Sequence, residues 1–132
     1  MAYLRPPLFT RKVFNQIAMR LGLSGVETLA VTGRKTGAEQ TIPVIPVEHK
    51  GARYLVCPRG EAEWVRNLRA ANGEGELRSK GGTERFTATE VPVGQRPPII
   101  AAYRAKAGRT VASYFEKLPD PADHPTFRLA PR

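Results

Sequence analysis

The chain of 132 residues contains a single cysteine, Cys57, and two histidines, His49 and His124, which lie far apart in the sequence. One cysteine cannot form an internal disulfide bond, so a reducing compartment is expected. Cys57 ends the apolar run Tyr54-Leu55-Val56-Cys57 and is expected to be a strand residue rather than a nucleophile. Because neither histidine has a neighbouring cysteine or carboxylate pair, no metal site is expected.

The sequence also lacks an apolar stretch close to the roughly 20 residues that a membrane span needs. Its N-terminus lacks the apolar core of a signal peptide. We therefore expect a cytoplasmic protein, or one at most peripheral to a membrane. No serine–histidine–aspartate, cysteine–histidine or paired-carboxylate arrangement stands out, so a mechanism that needs no catalytic dyad is favoured.

Acidic residues are scarce: 12 Asp and Glu face 21 Lys and Arg, of which 15 are arginine, and the net charge is +9. So large a surplus implies an anionic partner, which would be nucleic acid, an anionic membrane surface or a strongly negative small molecule. Nucleic acid is disfavoured because the sequence shows no helix-turn-helix, zinc site or base-stacking aromatic pattern. The arginine bias suits bidentate recognition of phosphate and carboxylate.

The length predicts one domain, residues 1–132, with a flexible arm at 1–9. Helical spacing predicts a basic amphipathic helix over 10–21, which either packs on the domain or touches anionic lipid. The element order favours an α+β fold, a small antiparallel barrel or sheet with helices outside. Strands are predicted at 27–32, 41–48, 53–57, 76–79, 84–93 and, as a final edge strand, 126–129; helices are predicted at 61–71, 99–107 and within 109–118.

The most informative segment is the turn Gly33-Arg34-Lys35-Thr36-Gly37, between two strand-like runs. Glycines at both ends allow backbone N–H groups to approach a ligand closely. With two cations and a hydroxyl in the same turn, the expected guest is a phosphate or carboxylate. The alternative is a hairpin whose tip is basic for solubility. Pro43 and Pro46 place the following strand at an edge, a bulge or a barrel rim.

The string from Leu29 to Gly37, followed by Pro43, by Tyr54-Leu55-Val56 and by the run from Trp64 to Ala70, resembles the deazaflavin-dependent nitroreductase family of actinobacteria. This resemblance covers about residues 26–78. It implies a split β-barrel related to the flavin mononucleotide (FMN)-binding oxidoreductases, and coenzyme F-420 as cofactor. It also implies hydride delivery from the reduced deazaflavin to a small hydrophobic acceptor such as a quinone, a nitro compound or an activated enone.

The resemblance further implies which residues bind the cofactor. The basic turn would hold its phosphodiester and acidic chain, Pro43 and Val44 would lie along the ring, and the loop after the third strand would add a cation. Trp64 and Asn67 would close the site from the helix. The implied residues are Arg34, Lys35, Thr36, Pro43, Val44, Cys57, Pro58, Arg59, Gly60, Trp64 and Asn67.

No catalytic residue is identified, although Tyr103 and Tyr114 are candidates because C-terminal tyrosines line the substrate pocket of related nitroreductases. Three alternatives stay open: a non-catalytic cofactor- or lipid-binding barrel that touches membrane through residues 10–21, an FMN-binding reductase, and a nucleic-acid-binding protein. The oligomeric state also stays open between monomer and homodimer.

Overall fold

The computed structural model describes residues 25–132, so the predicted arm (1–9) and the predicted helix (10–21) lie outside the described residues. The described part contains seven strands and three α-helices. The strands are β1 (Glu27–Thr32), β2 (Glu39–Val44), β3 (Val47–His49), β4 (Ala52–Val56), β5 (Glu74–Ser79), β6 (Gly82–Glu90) and β7 (Thr126–Pro131). The helices are α1 (Glu63–Ala70), α2 (Pro97–Ala107) and α3 (Arg109–Lys117).

All seven strands form one antiparallel sheet with the order β2-β1-β5-β6-β7-β4-β3. The two edge strands, β2 and β3, are consecutive in the chain and are joined only by Ile45 and Pro46. A two-residue link spans about 11 Å at most between the flanking Cα atoms. The sheet must therefore curl until its two edges almost meet, which is the split-barrel form that the sequence predicted.

Local sequence explains two of the connections. The β3–β4 hairpin turns through Lys50 and Gly51, which both have positive φ (50° and 82°), as a two-residue turn of the favoured hand requires. Asn72 and Gly73 follow the last turn of helix α1 and also have positive φ (57° and 81°). The N–H of Gly73 donates to the carbonyl of Leu68 at 2.8 Å. This left-handed ending stops the helix and starts β5.

Two apolar clusters stabilise the sheet, one inside the curl and one outside it. The inner cluster packs α1 against the strands, and its largest members include Trp64, Leu68, Phe86 and Phe127. The outer cluster packs α2 and α3 against β3 and β4. Adjacent residues of β4 supply both, since Leu55 faces the inner cluster and Val56 the outer one.

Within residues 25–132 the structure confirms the predicted order of elements from the first strand onward and corrects three details. The predicted strand 41–48 is two strands, because the chain passes from one sheet edge to the other at Ile45-Pro46. The predicted strand 84–93 ends at Glu90. The predicted final edge strand is wrong: β7 pairs with both β6 and β4, and its Thr126, Phe127 and Leu129 are buried.

Candidate functional site

The turn between β1 and β2 is held by backbone hydrogen bonds that depend on its glycines. The N–H of Gly33 donates to the carbonyl of Ala38 at 2.8 Å, and the N–H of Gly37 donates to the carbonyl of Gly33 at 2.9 Å. Gly37 has a φ of +78°, which favours glycine. A Cβ on Gly33 would lie 2.9 Å from the Ala38 carbonyl oxygen. Both glycines are thus needed for this tight shape.

Asn67 of α1 fixes the turn to the helix. Its Oδ1 accepts the backbone N–H of Arg34 at 3.1 Å and the Nη1 of the same arginine at 2.8 Å. Asn67 is only 6% exposed, so this amide is an interior anchor rather than a surface contact. The same Arg34 Nη1 also donates to Glu63 Oε2 at 2.8 Å. Glu63 and Asn67 are four residues apart and therefore share one helix face.

Lys35 and Thr36 remain exposed at the tip of this anchored turn. Within residues 25–132, Lys35 has no ion-pair partner, and the backbone N–H groups of Lys35 and Thr36 have no acceptor. The Thr36 hydroxyl oxygen accepts the N–H of Ala38 at 3.2 Å. Two adjacent unsatisfied amides beside an ammonium group are the elements of an anion-binding nest. An anion could therefore reach Lys35 and the two amides at the tip of the turn more readily than the Arg34 guanidinium.

The loop after β4 is buried at its start. Cys57 is fully buried, its N–H donates to the Pro125 carbonyl at 2.9 Å, and its carbonyl lies 3.0 Å from the Nδ1 of His124. Burial raises the pKa of the Cys57 thiol to about 11, so the thiol is neutral and protected. The thiol is therefore structural, as expected, but the prediction of a strand residue is wrong by one position, because β4 ends at Val56 and Cys57 begins the loop. Pro58 and Arg59 are half-buried and Gly60 is buried.

The ring of His124 links the start of this loop to the end of α3. Its Nε2 lies 2.6 Å from the Leu118 carbonyl oxygen, and the ring stacks on Phe115 with centroids 4.2 Å apart. Within residues 25–132, no cluster of three or more His, Cys, Asp or Glu side chains is placed to hold a metal ion. His124 is a structural brace for the loop.

The other residues implied by the resemblance lie in two different environments. Pro43 and Val44 are half-buried on the edge strand β2. Trp64 points into the inner cluster, 6% exposed, with its ring centroid 6.0 Å from that of Phe127. The structure thus brings Asn67 to the turn and places the Trp64 ring in the core. Their roles toward a cofactor stay predictions.

The two candidate tyrosines meet in the outer cluster. Tyr103 is buried with its ring centroid 6.2 Å from that of Phe115, and Tyr114 is half-buried beside the same cluster. Burial raises the pKa of Tyr103. The Tyr103 phenol is therefore protonated at neutral pH and is able to donate a hydrogen bond.

An open groove of about 540 Å³ borders the turn at Gly37 and is lined by residues of β1, β5 and the end of α1. Its charged lining comprises Glu39, Glu74, Glu76 and Arg132. Arg78 binds Glu39 and Glu76 at 2.5 and 3.0 Å, and its hydrogen bond lowers the pKa of Glu39. With three carboxylates and one arginine in its lining, this groove does not suit an anion.

Sequence reasoning missed Glu63, the acidic partner of Arg34. The available signal was its spacing of four residues from Asn67 on a helix already predicted to face the turn. That spacing alone does not say which turn residue the carboxylate meets, because the contact joins residues 29 positions apart.

The described part of the chain contains no helix with the length and apolar character of a membrane span.

Comparison with known proteins gives one family and one fold. The family model described as F420H(2)-dependent quinone reductase matches residues 8–118. No curated protein matches the chain. Among solved structures, one described as an F420-H2 dependent reductase (FDR-A) is 20% identical with a TM-score of 0.59, covering 81% of this chain and 95% of its own.

Two further solved structures share the fold at the same identity. One, described as a domain-swapped dimer, is 20% identical with a TM-score of 0.62 and coverages of 92% and 98%. The other, a heme binding protein from Mycobacterium smegmatis, is 20% identical with a TM-score of 0.54, covering 98% of this chain and 53% of its own. At such identities the likeness establishes the split-barrel fold alone.

Proposed function

Since the chain belongs to the F420H(2)-dependent quinone reductase family, we propose that it delivers a hydride from reduced coenzyme F-420 to a quinone. Membership of this family makes the protein an F-420-dependent oxidoreductase. The identity of the acceptor and the roles of individual residues are what we propose. The anchored turn is the observation that best supports the cofactor site. Its tip presents to solvent the side chain of Lys35 and two backbone N–H groups that have no acceptor within residues 25–132.

The residues present fit this cofactor. Coenzyme F-420 carries a phosphodiester and an oligoglutamate chain, and when bound it supplies the hydride from ring carbon five. The tip of the turn would hold the anionic part through Lys35 and the amides of Lys35 and Thr36. Arg34 would act mainly by fixing the turn, since Asn67 and Glu63 already engage its guanidinium. The net charge of +9 would attract the anion over a longer range.

The half-buried edge residues Pro43 and Val44 would face the deazaflavin ring, and the loop from Cys57 to Gly60 would contribute backbone and the Arg59 charge. Tyr103 is proposed to donate a hydrogen bond to the acceptor, because its phenol stays protonated at neutral pH and its ring packs in the cluster that contains Val56, just before that loop. The same raised pKa makes complete transfer of its proton unfavourable. A Tyr103→Phe change that lowers kcat but leaves the Kd for F-420 unchanged would support this role. Tyr114→Phe is the matched comparison.

We expect the purified protein to bind oxidised F-420 more tightly than FMN, because FMN has a phosphate but lacks the additional carboxylates of the oligoglutamate chain. Fluorescence titrations at low and moderate salt measure both constants. With reduced F-420, menadione should be consumed faster than a nitroaromatic compound or a cyclic enone, as followed by the returning absorbance of the oxidised cofactor. Failure to bind F-420 would refute the proposed site, and faster nitro reduction would reassign the acceptor.

We expect Lys35→Ala to weaken F-420 binding by about 3- to 10-fold at low salt, because it removes the exposed cation beside the two amides. The difference should shrink at high salt, where the ion atmosphere screens this charge. Lys80→Ala is the control, since Lys80 is an exposed lysine of the β5–β6 turn and its loss changes the net charge equally. Equal effects of the two substitutions would show that only the overall charge matters.

A further inference from the structure

Arg34, the first cation of the turn, already has two partners. Its Nη1 lies 2.8 Å from Glu63 Oε2 and 2.8 Å from Asn67 Oδ1. The Arg34 side chain is 22% exposed, whereas that of Glu63 is 63% exposed. The arginine is therefore held from the inside by an amide and from the outside by a carboxylate that solvent and ligands can reach.

The carboxylate of Glu63 is surrounded by cations. The hydrogen bond from Arg34 lowers the pKa of Glu63, and the charges of Arg34, Lys35 and Arg66 lower it further. Glu63 therefore carries its negative charge throughout the neutral range. That charge interacts electrostatically with the exposed ammonium of Lys35 without forming an ion pair, and Lys35 is the cation that the turn offers to an anion.

We propose that Glu63 restrains the affinity of the turn for the anionic chain of coenzyme F-420. It does so by occupying Arg34 and by repelling the ligand from the tip of the turn. This inference rests on the proposed function, because it takes the turn as the site of that chain. An anionic ligand at the tip gains little attraction from the neighbouring guanidinium, because Glu63 already neutralises it, and the charge of Glu63 itself repels the ligand.

Such restraint would serve a hydride donor that is consumed once in each catalytic cycle. After hydride transfer the cofactor is oxidised, and the oxidised form must leave before another reduced molecule can bind. Weaker attraction within the bound complex raises the dissociation rate of the cofactor. Glu63 would thus speed the exchange of cofactor without contacting its ring.

The experiment compares Glu63→Gln with Glu116→Gln, an exposed residue of α3 whose loss changes the net charge equally. Each protein is titrated with oxidised F-420 and with a truncated deazaflavin that lacks the phosphodiester and the glutamates. We expect Glu63→Gln to bind F-420 about 3- to 10-fold more tightly at low salt and less than about 2-fold more tightly in 0.5 M salt. The truncated ligand should bind all three proteins equally.

Equal binding of F-420 by the Glu63→Gln and Glu116→Gln proteins would overturn the inference. So would an equal gain in affinity for the truncated ligand, since the effect would then not act on the anionic chain. A failure of this inference about Glu63 is distinguishable from a failure of the proposed function. In the latter case the unaltered protein does not bind F-420 at all, and both conclusions fall together. Thermal unfolding of each variant verifies that the exposed substitution leaves the fold intact.

Discussion

Replacing Asn67 by Leu is expected to weaken F-420 binding by roughly 30-fold while the protein stays folded. The substitution removes the acceptor for both the N–H and the guanidinium of Arg34. Losing the partner of a part-buried donor costs about 1–3 kcal/mol, and 2 kcal/mol corresponds to roughly 30-fold in affinity. The turn would no longer be held against α1, so its amides would have to be reordered whenever the ligand binds. Fluorescence titration of F-420 measures the loss.

Asn67→Asp is the matched control for this experiment. Aspartate keeps an oxygen acceptor at the same place and should retain the position of the turn, but it adds a second negative charge beside Glu63. Its affinity should therefore lie between those of the unaltered protein and the leucine variant, and should approach the former at high salt. A leucine variant that binds F-420 within about 3-fold of the unaltered protein would show that Asn67 does not position the site.

Replacing Arg96 by Met is expected to lower the free energy of unfolding by about 2–4 kcal/mol. The guanidinium of Arg96 is buried, and burial lowers its pKa. It donates to the carbonyl oxygens of Val91 at 2.8 Å, Pro121 at 3.2 Å and His124 at 3.4 Å, and to the carboxylate of Glu90 at 3.3 Å. Methionine fills a similar volume but leaves the Val91 carbonyl without its donor. The Pro121 and His124 carbonyls and the Glu90 carboxylate each lose one donor and keep another, which is the His124 N–H, the Thr126 hydroxyl and Arg69 respectively.

Urea unfolding measures this difference, provided that the dependence on denaturant is the same for both proteins. The control is Arg109→Met at the exposed start of α3, which should change the free energy of unfolding by less than about 0.5 kcal/mol. A loss below 1 kcal/mol in the Arg96 variant would mean that water satisfies the carbonyl groups. Arg96 would then not be the tie between the end of β6 and the segment 121–124.

Local signals in the sequence were enough for most of the fold. The bounds of β1 were predicted to the residue, because Thr28 to Thr32 is rich in β-branched residues and ends at Gly33. The β3–β4 turn followed from Gly51, and the end of α1 followed from Asn72-Gly73. In each case a residue and its chain neighbours determine the conformation, so a single sequence carries the information.

Contacts between distant residues could not be predicted in the same way. The interior position of β7 depends on pairing with β4, about 70 residues earlier, and nothing within Thr126–Pro131 specifies that partner. The state of Arg34 is a second example. The sequence shows a cation in a glycine-bracketed turn, but only the folded chain brings Glu63 against it. Counting charges therefore overstated how much positive charge the turn offers.

The place of β7 also governs when the sheet can be completed during synthesis. Strands β2, β1, β5 and β6 can pair with one another as soon as residue 90 is available, and β3 can pair with β4 earlier still. These two groups share no ladder until β7 is inserted between β6 and β4. While residues 126–131 are still inside the ribosome, the nascent chain therefore exposes the facing edges of β6 and β4. Unpaired edges of this kind are open to pairing with other chains, so this interval is the one in which the nascent chain is most exposed to aggregation.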